Sequence, residues 1–342
     1  MNFIVAGGVI PNSFIIFSDV HEQYEHLGAA IAQVMANNDG CVPSLVVCTG
    51  DWVNGLTVST ESIENEHLPK IFGQLGGLDT VYVTGNHEVS GGSKLISTLA
   101  VYSVDPTDLN DGVGLLFDSA INNENKQNSL EAEGLEVYGI DFFALTGNGE
   151  GENRTAYNYK GILPELEEYL ITCAQENDHN LIVIAAHADL HVMGLQPESL
   201  RTNGSSLEAW SGSSAYHIDG ADAVADLLNR YAREYGLDII FFFGHNHSMG
   251  EAEFFLATGD ELISPVAYSE RSYVTVPLGF FYGHAGYLSD TKGAAINRYT
   301  LVTWDEDSIH RTLFQLDKEE PIEDVEYQCH EPQATDTLQP AA

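Results

Sequence analysis

The sequence predicts an α/β protein in which helices cover both faces of a β-sheet. Short runs of residues that are apolar at every position recur along the chain, and stretches with helical periodicity lie between them. Strands that are apolar throughout are typical of sheets buried on both faces. From about residue 254 onward strand follows strand, which predicts a second and more antiparallel sheet.

The predicted elements can be placed in order along the chain. Strands are predicted at residues 14–17, 45–48, 81–83, 181–186 and 239–243. A helix is predicted near residues 27–36, where apolar residues recur at the spacing of one helix face, and another near residues 221–235. The later strands fall at residues 273–277, 279–282, 297–304 and 309–315.

These elements indicate one domain over residues 1–318. The segments at about 90–133 and 146–159 are polar, rich in Asn and Gly and poor in periodicity, so we expect loop insertions there. After Lys318 the tail over residues 319–342 is acidic and rich in Pro and Gln, with little apolar content. We expect this tail to be loosely ordered.

The charge of the chain restricts its partners. There are 51 acidic residues against 13 basic ones, a formal net charge of −38. Because few Lys or Arg side chains are present to neutralise phosphates, the composition argues against polymeric nucleic acid and anionic membranes as partners. Such acidity is also typical of exported proteins and of proteins adapted to a salty medium.

The compartment and the oligomeric state stay open, with a lean towards an exported, cell-surface or high-salt setting. The first ten residues are apolar but short and lack a basic region, so they do not resemble a secretory signal. No apolar run is long enough to cross a bilayer. The four cysteines form no C-x-x-C pair, and we interpret Cys48 and Cys173 as small core residues.

Five short polar motifs come directly after predicted strands. They are Asp19-Val20-His21, Gly50-Asp51, Gly85-Asn86-His87-Glu88, His187 and Gly244-His245-Asn246-His247. Ligands of open α/β sheets collect at the carboxyl ends of the strands, so we expect these turns to converge although they span most of the chain.

The residue types in these motifs suit a metal. Carboxylate, imidazole and amide oxygen together favour Mn, Fe or Zn, and the absence of cysteine argues against a closed structural zinc site. On an extended backbone, the spacing of His245 and His247 sends both rings to one face. Each motif alone has a simpler interpretation as a surface turn, a tight turn, a core histidine or a strand edge. Their joint occurrence, always at a strand exit, predicts a metal site.

In this order the motifs resemble those of the calcineurin-like metallophosphoesterase superfamily, which read D-x-H, G-D, G-N-H-[DE], H and G-H-x-H. The resemblance implies a sandwich of two mixed β-sheets flanked by α-helices. It also implies two transition-metal ions. The first would be held by Asp19, His21, Asp51 and His247. The second would share Asp51 and be completed by Asn86, His187 and His245.

The resemblance implies an activity as well. Two cations about 3.5–4 Å apart would clamp a phosphate and lower the pKa of a bridging water, and the resulting hydroxide would attack phosphorus. His87 would not bind metal but would protonate or hydrogen-bond the leaving oxygen, and Glu88 would support it. We therefore expect a hydrolase of phosphate mono- or diesters.

The chain departs from the protein Ser/Thr phosphatase branch of the superfamily. That branch follows its second motif with a further Asp and an Arg that grips phosphate, whereas residues 50–55 here contain no Arg. The expected substrate is therefore a small phosphate ester. Other residues are open to interpretation. His191 would line the pocket or lie at the surface, Arg154, Arg201 and Arg271 would grip phosphate or form exposed ion pairs, and His284 is expected to be structural or exposed.

Two alternatives to an enzyme stand beside this prediction. One is a non-catalytic scaffold on the same fold that binds a partner protein. Such scaffolds typically lack metal ligands or the histidine after the Asn, and this sequence keeps all of them. The other is a surface-attached module whose acidic coat holds calcium.

Overall fold

A computed structural model of the protein describes residues 8–54, 63–83, 85, 87, 115–117, 129–132, 134–140, 162–176, 180–187, 221–244, 256–258, 261–263, 279–289 and 297–329. In chain order the strands are β1 (Val9–Phe17), β2 (Val42–Cys48), β3 (Thr80–Val83), β4 (Leu115–Phe117), β5 (Ser129–Ala132), β6 (Leu135–Ile140), β7 (Leu181–Ala186), β8 (Ile239–Phe243), β9 (Leu256–Thr258), β10 (Glu261–Ile263), β11 (Phe281–His284), β12 (Arg298–Trp304), β13 (Ser308–Gln315) and β14 (Glu323–Gln328). The helices are α1 (Tyr24–Asn37), α2 (Leu68–Leu75), α3 (Leu163–Glu176) and α4 (Ala221–Tyr235), and a short π-helix, Ile63–His67, precedes α2.

Within the described residues, two mixed sheets make up most of the strand structure. The first has the order β14-β13-β12-β1-β2-β3-β4, and the second has the order β11-β8-β7-β6-β5. In the first sheet β1 to β4 are parallel, whereas β12, β13 and β14 run antiparallel to their neighbours. In the second sheet β5 is antiparallel to β6 and the remaining pairs are parallel. The predicted α/β fold with two mixed sheets is confirmed.

The sheets pack face to face because both faces of the central strands are apolar. In β1, Phe14 and Ile16 point between the sheets, and the Phe14 ring lies 6.2 Å from that of Phe242. The alternate residues Ile15 and Phe17 point to the other face, where α1 covers them. Side chains alternate in direction along a strand, so a run without polar residues must be covered twice.

The helices cover the outer faces of the two sheets. Helices α1 and α2 pack on the first sheet through residues such as Ile31 and Ile71. Helix α3 lies on the second sheet, where the Tyr169 hydroxyl donates to Glu136 of β6, and Arg230 of α4 pairs with Glu167 of α3. None of the helices in the described part of the chain is long and apolar enough to span a bilayer.

The C-terminal strands correct one expectation. We predicted a separate, more antiparallel sheet after residue 254, but β12 and β13 extend the first sheet through the antiparallel pairing of β12 with β1. The reason is that β12 is apolar on both faces: Leu301 packs towards α1 and Val302 packs between the sheets. Such a strand needs an interior position.

Three strands lie where the sequence favoured irregular structure. Strands β4 and β5 both fall within the expected insertion at about 90–133. Strand β14 falls within the tail that we expected to be loosely ordered. It pairs with β13, and Tyr327 is buried against the core between the sheets. Val325 is partly buried against the same core. Two apolar residues on a mostly acidic strand are a weak signal in the sequence. The predicted strand at 273–277 lies outside the described residues.

Candidate metal centre

The loops after β1 and β2 are joined by backbone hydrogen bonds. The amide of Asp19 donates to the carbonyl of Gly50 at 2.9 Å, and the amide of His21 donates to the carbonyl of Asp51 at 3.0 Å. Asp19, His21 and Asp51 all have a positive φ, at 55°, 44° and 58°. Non-glycine residues in this left-handed region are strained, and they persist where surrounding contacts hold them, often at functional sites.

The carboxylate of Asp51 lies at the centre of a group of histidines. Its Oδ2 atom is 3.3 Å from His187 Nε2, 3.8 Å from His21 Nε2 and 3.8 Å from His87 Nε2. His21 Nε2 is also 3.6 Å from Oδ1 of Asp19. Residues from the ends of three strands and from the loop after β3 thus meet at one edge of the sandwich.

Burial differs sharply within this group. The side chains of Asp19, His21 and His187 are 0% exposed and that of Asp51 is 1% exposed, whereas His87 is 17% exposed. Five polar side chains in so small a buried volume need compensating partners. Among them, His87 offers the largest surface to a molecule approaching from solvent.

Contacts from outside the group set the orientation of its members. The Nδ1 atom of His187 lies 2.7 Å from the carbonyl oxygen of Thr49. A carbonyl only accepts, so Nδ1 carries the proton and the lone pair of neutral His187 is on Nε2, which faces Asp51. The backbone amide of His87 donates to Oδ1 of Asp51 at 2.9 Å.

Glycine is required where these loops approach one another. A Cβ atom on Gly85 would overlap the Asp51 carboxylate and would lie 2.5 Å from the Asp51 amide nitrogen. A Cβ atom on Gly244 would overlap the Ser18 side chain and would lie 2.9 Å from Oδ2 of Asp19. Both glycines belong to the predicted motifs. Their role is close approach: they let loops from different strands converge on the two aspartates.

The charge state of Asp51 follows from its neighbours. Burial raises the pKa of its carboxyl group, and so does the nearby Asp19 carboxylate. The His187 imidazole, when it is protonated on both nitrogens, lowers that pKa by more through its charge and a hydrogen bond, and the His21 imidazole lowers it as well. The net result is a pKa well below the usual range for aspartate. Asp51 is therefore an anion over the ordinary pH range, as a metal ligand must be.

Two overlapping groups of three side chains have ligand atoms within 4.8 Å of one another. They are His21, Asp51 and His87, and Asp19, Asp51 and His187. Asp51 belongs to both groups, which is the position that the resemblance gives to the bridging ligand. The Nε2 atom of His87 is as close to Asp51 as that of His21.

The structure brings together five of the eight site residues predicted from the sequence: Asp19, His21, Asp51, His87 and His187. Asn86, His245 and His247 lie outside the described residues. The same holds for Glu88, His191, Arg154, Arg201 and Arg271. Gly85 and Gly244, which directly precede Asn86 and His245, are described and lie against Asp51 and Asp19.

Of the two expectations for His284, structural or exposed, the structure supports the first. His284 is 2% exposed and lies at the carboxyl end of β11, next to the end of β8. The sequence predicts a strand at 279–282, whereas β11 is Phe281–His284. With the correct boundary, His284 would also stand at a strand exit, which is the signal that marks the other motifs.

Solved structures that resemble this chain have little sequence in common with it. GAP50, the anchor in the inner membrane complex of Plasmodium, is 11% identical with a TM-score of 0.53, over 94% of this chain and 90% of that protein. The protein TT1561 of Thermus thermophilus is 12% identical with a TM-score of 0.48, over 89% of this chain and 99% of that one. The sulfate thiohydrolase SoxB of Thermus thermophilus is 14% identical with a TM-score of 0.42, over 93% of this chain and 56% of that one.

The sequence itself identifies the family. A comparison with curated proteins found no match. The model of the family described as calcineurin-like phosphoesterase matches residues 13–249, which contain all five motifs. This is more than half of the chain. The chain therefore belongs to the calcineurin-like phosphoesterase family.

Proposed function

We propose that the protein is a hydrolase that cleaves phosphate mono- or diesters with the help of two transition-metal ions, Mn, Fe or Zn. The observation that carries the proposal is the position of Asp51. Its buried carboxylate is surrounded by Nε2 atoms of three histidines at 3.3–3.8 Å, and all four residues come from the motifs of the family.

The spacing of these atoms supports a metal centre. Nitrogen and oxygen ligands bind such ions at about 2.0–2.2 Å, so two ligands of one ion lie roughly 3–4 Å apart. The separations of Asp51 Oδ2 from the Nε2 atoms of the proposed ligands His187 and His21, 3.3 Å and 3.8 Å, fall in that range. The donor set of carboxylates and imidazoles without thiolate also fits these metals. Burying Asp19, His21, Asp51 and His187 for direct ion pairs alone would cost more free energy than the pairs return.

In this proposal each ion has four protein ligands. One ion is held by Asp19, His21, Asp51 and His247, and the other by Asp51, Asn86, His187 and His245. When bound, the pair of cations would polarise the phosphoryl group and acidify a water molecule that serves as the nucleophile.

The side chains of the protein then have separate tasks. Asp51 stays ionised and lies between the two groups of ligands. Thr49 holds His187 in the tautomer whose Nε2 can bind metal. His87, with 17% of its side chain exposed, would face the substrate and donate a proton from its imidazole to the leaving oxygen.

The proposed substrate is a small ester. With a formal net charge of −38, the protein repels long polyanions, whereas a small phosphate is attracted by the metal ions once it is near. We expect the residues that select one ester from another to come from the insertions predicted at about 90–133 and 146–159.

A non-catalytic scaffold is the alternative from another functional class. GAP50 is named an anchor, and its likeness to this chain, at 11% identity, is one of fold. A scaffold has no need of a buried carboxylate surrounded by three histidines. The retention of Asp19, His21, Asp51, His87 and His187 in one cluster favours the enzyme.

The proposal is tested on protein whose metal content has been measured. Metal-free protein is supplied in turn with Mn, Fe, Zn, Ni and Co, and hydrolysis of an aryl phosphate, a bis-aryl phosphate, alkyl phosphates and alkyl diesters is followed. We expect turnover with at least one metal and one ester class. Absence of turnover with every metal and ester would contradict the proposed hydrolase activity and favour the scaffold function.

A further inference from the structure

A short segment connects the two sheets at the edge that carries the candidate metal centre. Residues 284–288, the bridging segment, begin at the last residue of β11 in the second sheet. The amide of Ala285 donates to the carbonyl of Phe243, the last residue of β8, at 2.8 Å. Further along, the amide of Leu288 donates to the carbonyl of Ser18 at 3.1 Å. The segment is thus hydrogen-bonded to the end of β8 in the second sheet and to the residue that follows β1 in the first.

The backbone of Ser18 both accepts a hydrogen bond from the bridging segment and donates one to it. Besides accepting from Leu288, Ser18 donates its amide to the carbonyl of Gly286 at 2.9 Å. Ser18 directly precedes Asp19, and Phe243 and Gly244 directly precede His245. Gly244 also packs against the Ser18 side chain. The bridging segment therefore fixes the distance between two backbone positions that lead into proposed ligands.

Gly286 is closely surrounded by backbone atoms of Arg298 and Tyr299. It has φ of +99°, and a Cβ atom there would lie 2.5 Å from the carbonyl oxygen of Arg298. Its amide donates to Nδ1 of His284 at 2.9 Å. The backbone around it is enclosed, so this amide has little freedom to find another acceptor. Loss of the acceptor would leave a buried N–H without a partner or force the segment to move.

The His284 ring is held firmly in its own place. It is 2% exposed. Its centroid lies 5.1 Å from that of Phe243 and 6.1 Å from that of Tyr287, edge to face in both cases. Since Nδ1 accepts from Gly286, the proton of the neutral ring is on Nε2. The imidazole connects the end of β11 to the middle of the bridging segment.

We propose that His284 is a positioning residue for the metal centre: by accepting from Gly286 it fixes the bridging segment, and with it the spacing between the Asp19 loop and the end of β8. The inference rests on the proposed function for its effect on metal. Its effect on the backbone is independent of any metal. His284 acts through Gly286 and Ser18 and has no part in the chemistry itself.

The matched variants differ in whether they keep the acceptor. In His284→Asn the amide oxygen takes the place of Nδ1, whereas His284→Leu has no acceptor and His284→Gln moves its amide one bond further out. His67→Leu serves as a structural control, because His67 is also buried and bonds Tyr24 at 2.9 Å, between α1 and the π-helix.

The first readout is the affinity of each variant for Mn²⁺. We expect His284→Leu and His284→Gln to bind Mn²⁺ about tenfold or more weakly than the wild type, as is usual when support of a metal site is lost. His284→Asn and His67→Leu should stay within about threefold of the wild type. The proposal is overturned if the Leu and Gln variants bind as the wild type does, or if Asn fails to restore affinity.

The second readout is amide hydrogen exchange of the metal-free proteins. We expect the Ser18 and Leu288 amides to exchange about tenfold faster or more in His284→Leu and His284→Gln, and at the wild-type rate in His284→Asn and His67→Leu. Unchanged exchange in the Leu and Gln variants would overturn the positioning role. If wild-type protein bound no Mn²⁺ but the exchange pattern held, the metal function would be wrong and the positioning of the backbone right.

Discussion

The Nδ1 atom of His187 lies 2.7 Å from the carbonyl oxygen of Thr49, and this contact joins the two sheets of the sandwich. His187 follows β7 of the second sheet, whereas Thr49 follows β2 of the first. The contact turns His187 Nε2 towards the Asp51 carboxylate at 3.3 Å. The candidate metal centre is therefore built across the interface between the sheets, and its geometry depends on how the sheets pack.

Replacement of Asp51 tests the centre of the site. Asp51→Asn removes the charge but keeps an oxygen that can accept from the His87 amide, so the fold should persist. We expect Mn²⁺ affinity to fall by at least about 100-fold and turnover to be lost, because Asp51 is the proposed ligand of both ions. Isothermal titration of metal-free protein measures the affinity.

The control is Asp305→Asn. Asp305 caps the turn between β12 and β13 by accepting from the amides of Asp307 and Ser308, far from the site. This variant should bind Mn²⁺ as the wild type does. Equal affinity in the Asp51 and Asp305 variants would show that Asp51 is not a metal ligand.

The role of His87 can be separated from metal binding. His87→Ala should keep Mn²⁺ affinity within a few fold, because the proposal gives His87 no metal. Its turnover should fall by about 10²–10⁴-fold on alkyl phosphates, whose leaving oxygen needs a proton, and much less on aryl phosphates. Steady-state rates on the two ester classes measure this difference. Loss of Mn²⁺ affinity would instead make His87 a ligand, as its 3.8 Å distance to Asp51 also allows.

Glycine-to-alanine substitutions test the close approach at the site. Gly85→Ala places a methyl group against the Asp51 carboxylate and backbone. We expect a loss of roughly 1–3 kcal/mol in the free energy of unfolding and weaker metal binding. In the control Gly73→Ala, the new Cβ meets nothing within 4 Å in helix α2. That variant should gain about 0.5–1 kcal/mol, because alanine favours the helix.

Urea unfolding measures both variants. A Gly85→Ala protein with wild-type stability and metal affinity would contradict the steric account. A destabilised Gly73→Ala would show that helix α2 packs more tightly than the structure indicates.

The acidic composition predicts a dependence of stability on salt. With a net charge of −38, the folded chain repels itself, and salt screens this repulsion. Raising NaCl from about 0.01 M to about 1 M shortens the Debye length from about 30 Å to about 3 Å. We expect the melting temperature to rise by several degrees, and by more than in sucrose of equal osmolality. A melting temperature that falls with NaCl would contradict this expectation.

Much of the site can be predicted from sequence because its residues follow buried strands. Strands β7 and β8 and helix α4 match their predicted boundaries. The ends of these strands and of β1 and β2 mark His187, Asp19 and Asp51 without any knowledge of the packing.

Other features depend on contacts between distant segments. The hydrogen bond of His187 to Thr49 and the fit of Gly244 against Ser18 arise only when the two sheets meet. His284 does not fall at a predicted strand exit, because the predicted strand at 279–282 is displaced by two residues at each end from β11. Strand β14 is acidic apart from Val325, Tyr327 and Gln328, and its place at the sheet edge comes from pairing with β13.

The most direct test of the central claim is a metal titration followed by turnover. Metal-free protein is titrated with Mn²⁺ while hydrolysis of an aryl phosphate is recorded. If Mn²⁺ supports no hydrolysis, the titration is repeated with Fe, Zn, Ni and Co. The two-metal account predicts that activity appears with added metal and reaches a plateau at about two ions per chain. Absence of turnover at every metal and concentration would contradict it, as would activity that is independent of added metal.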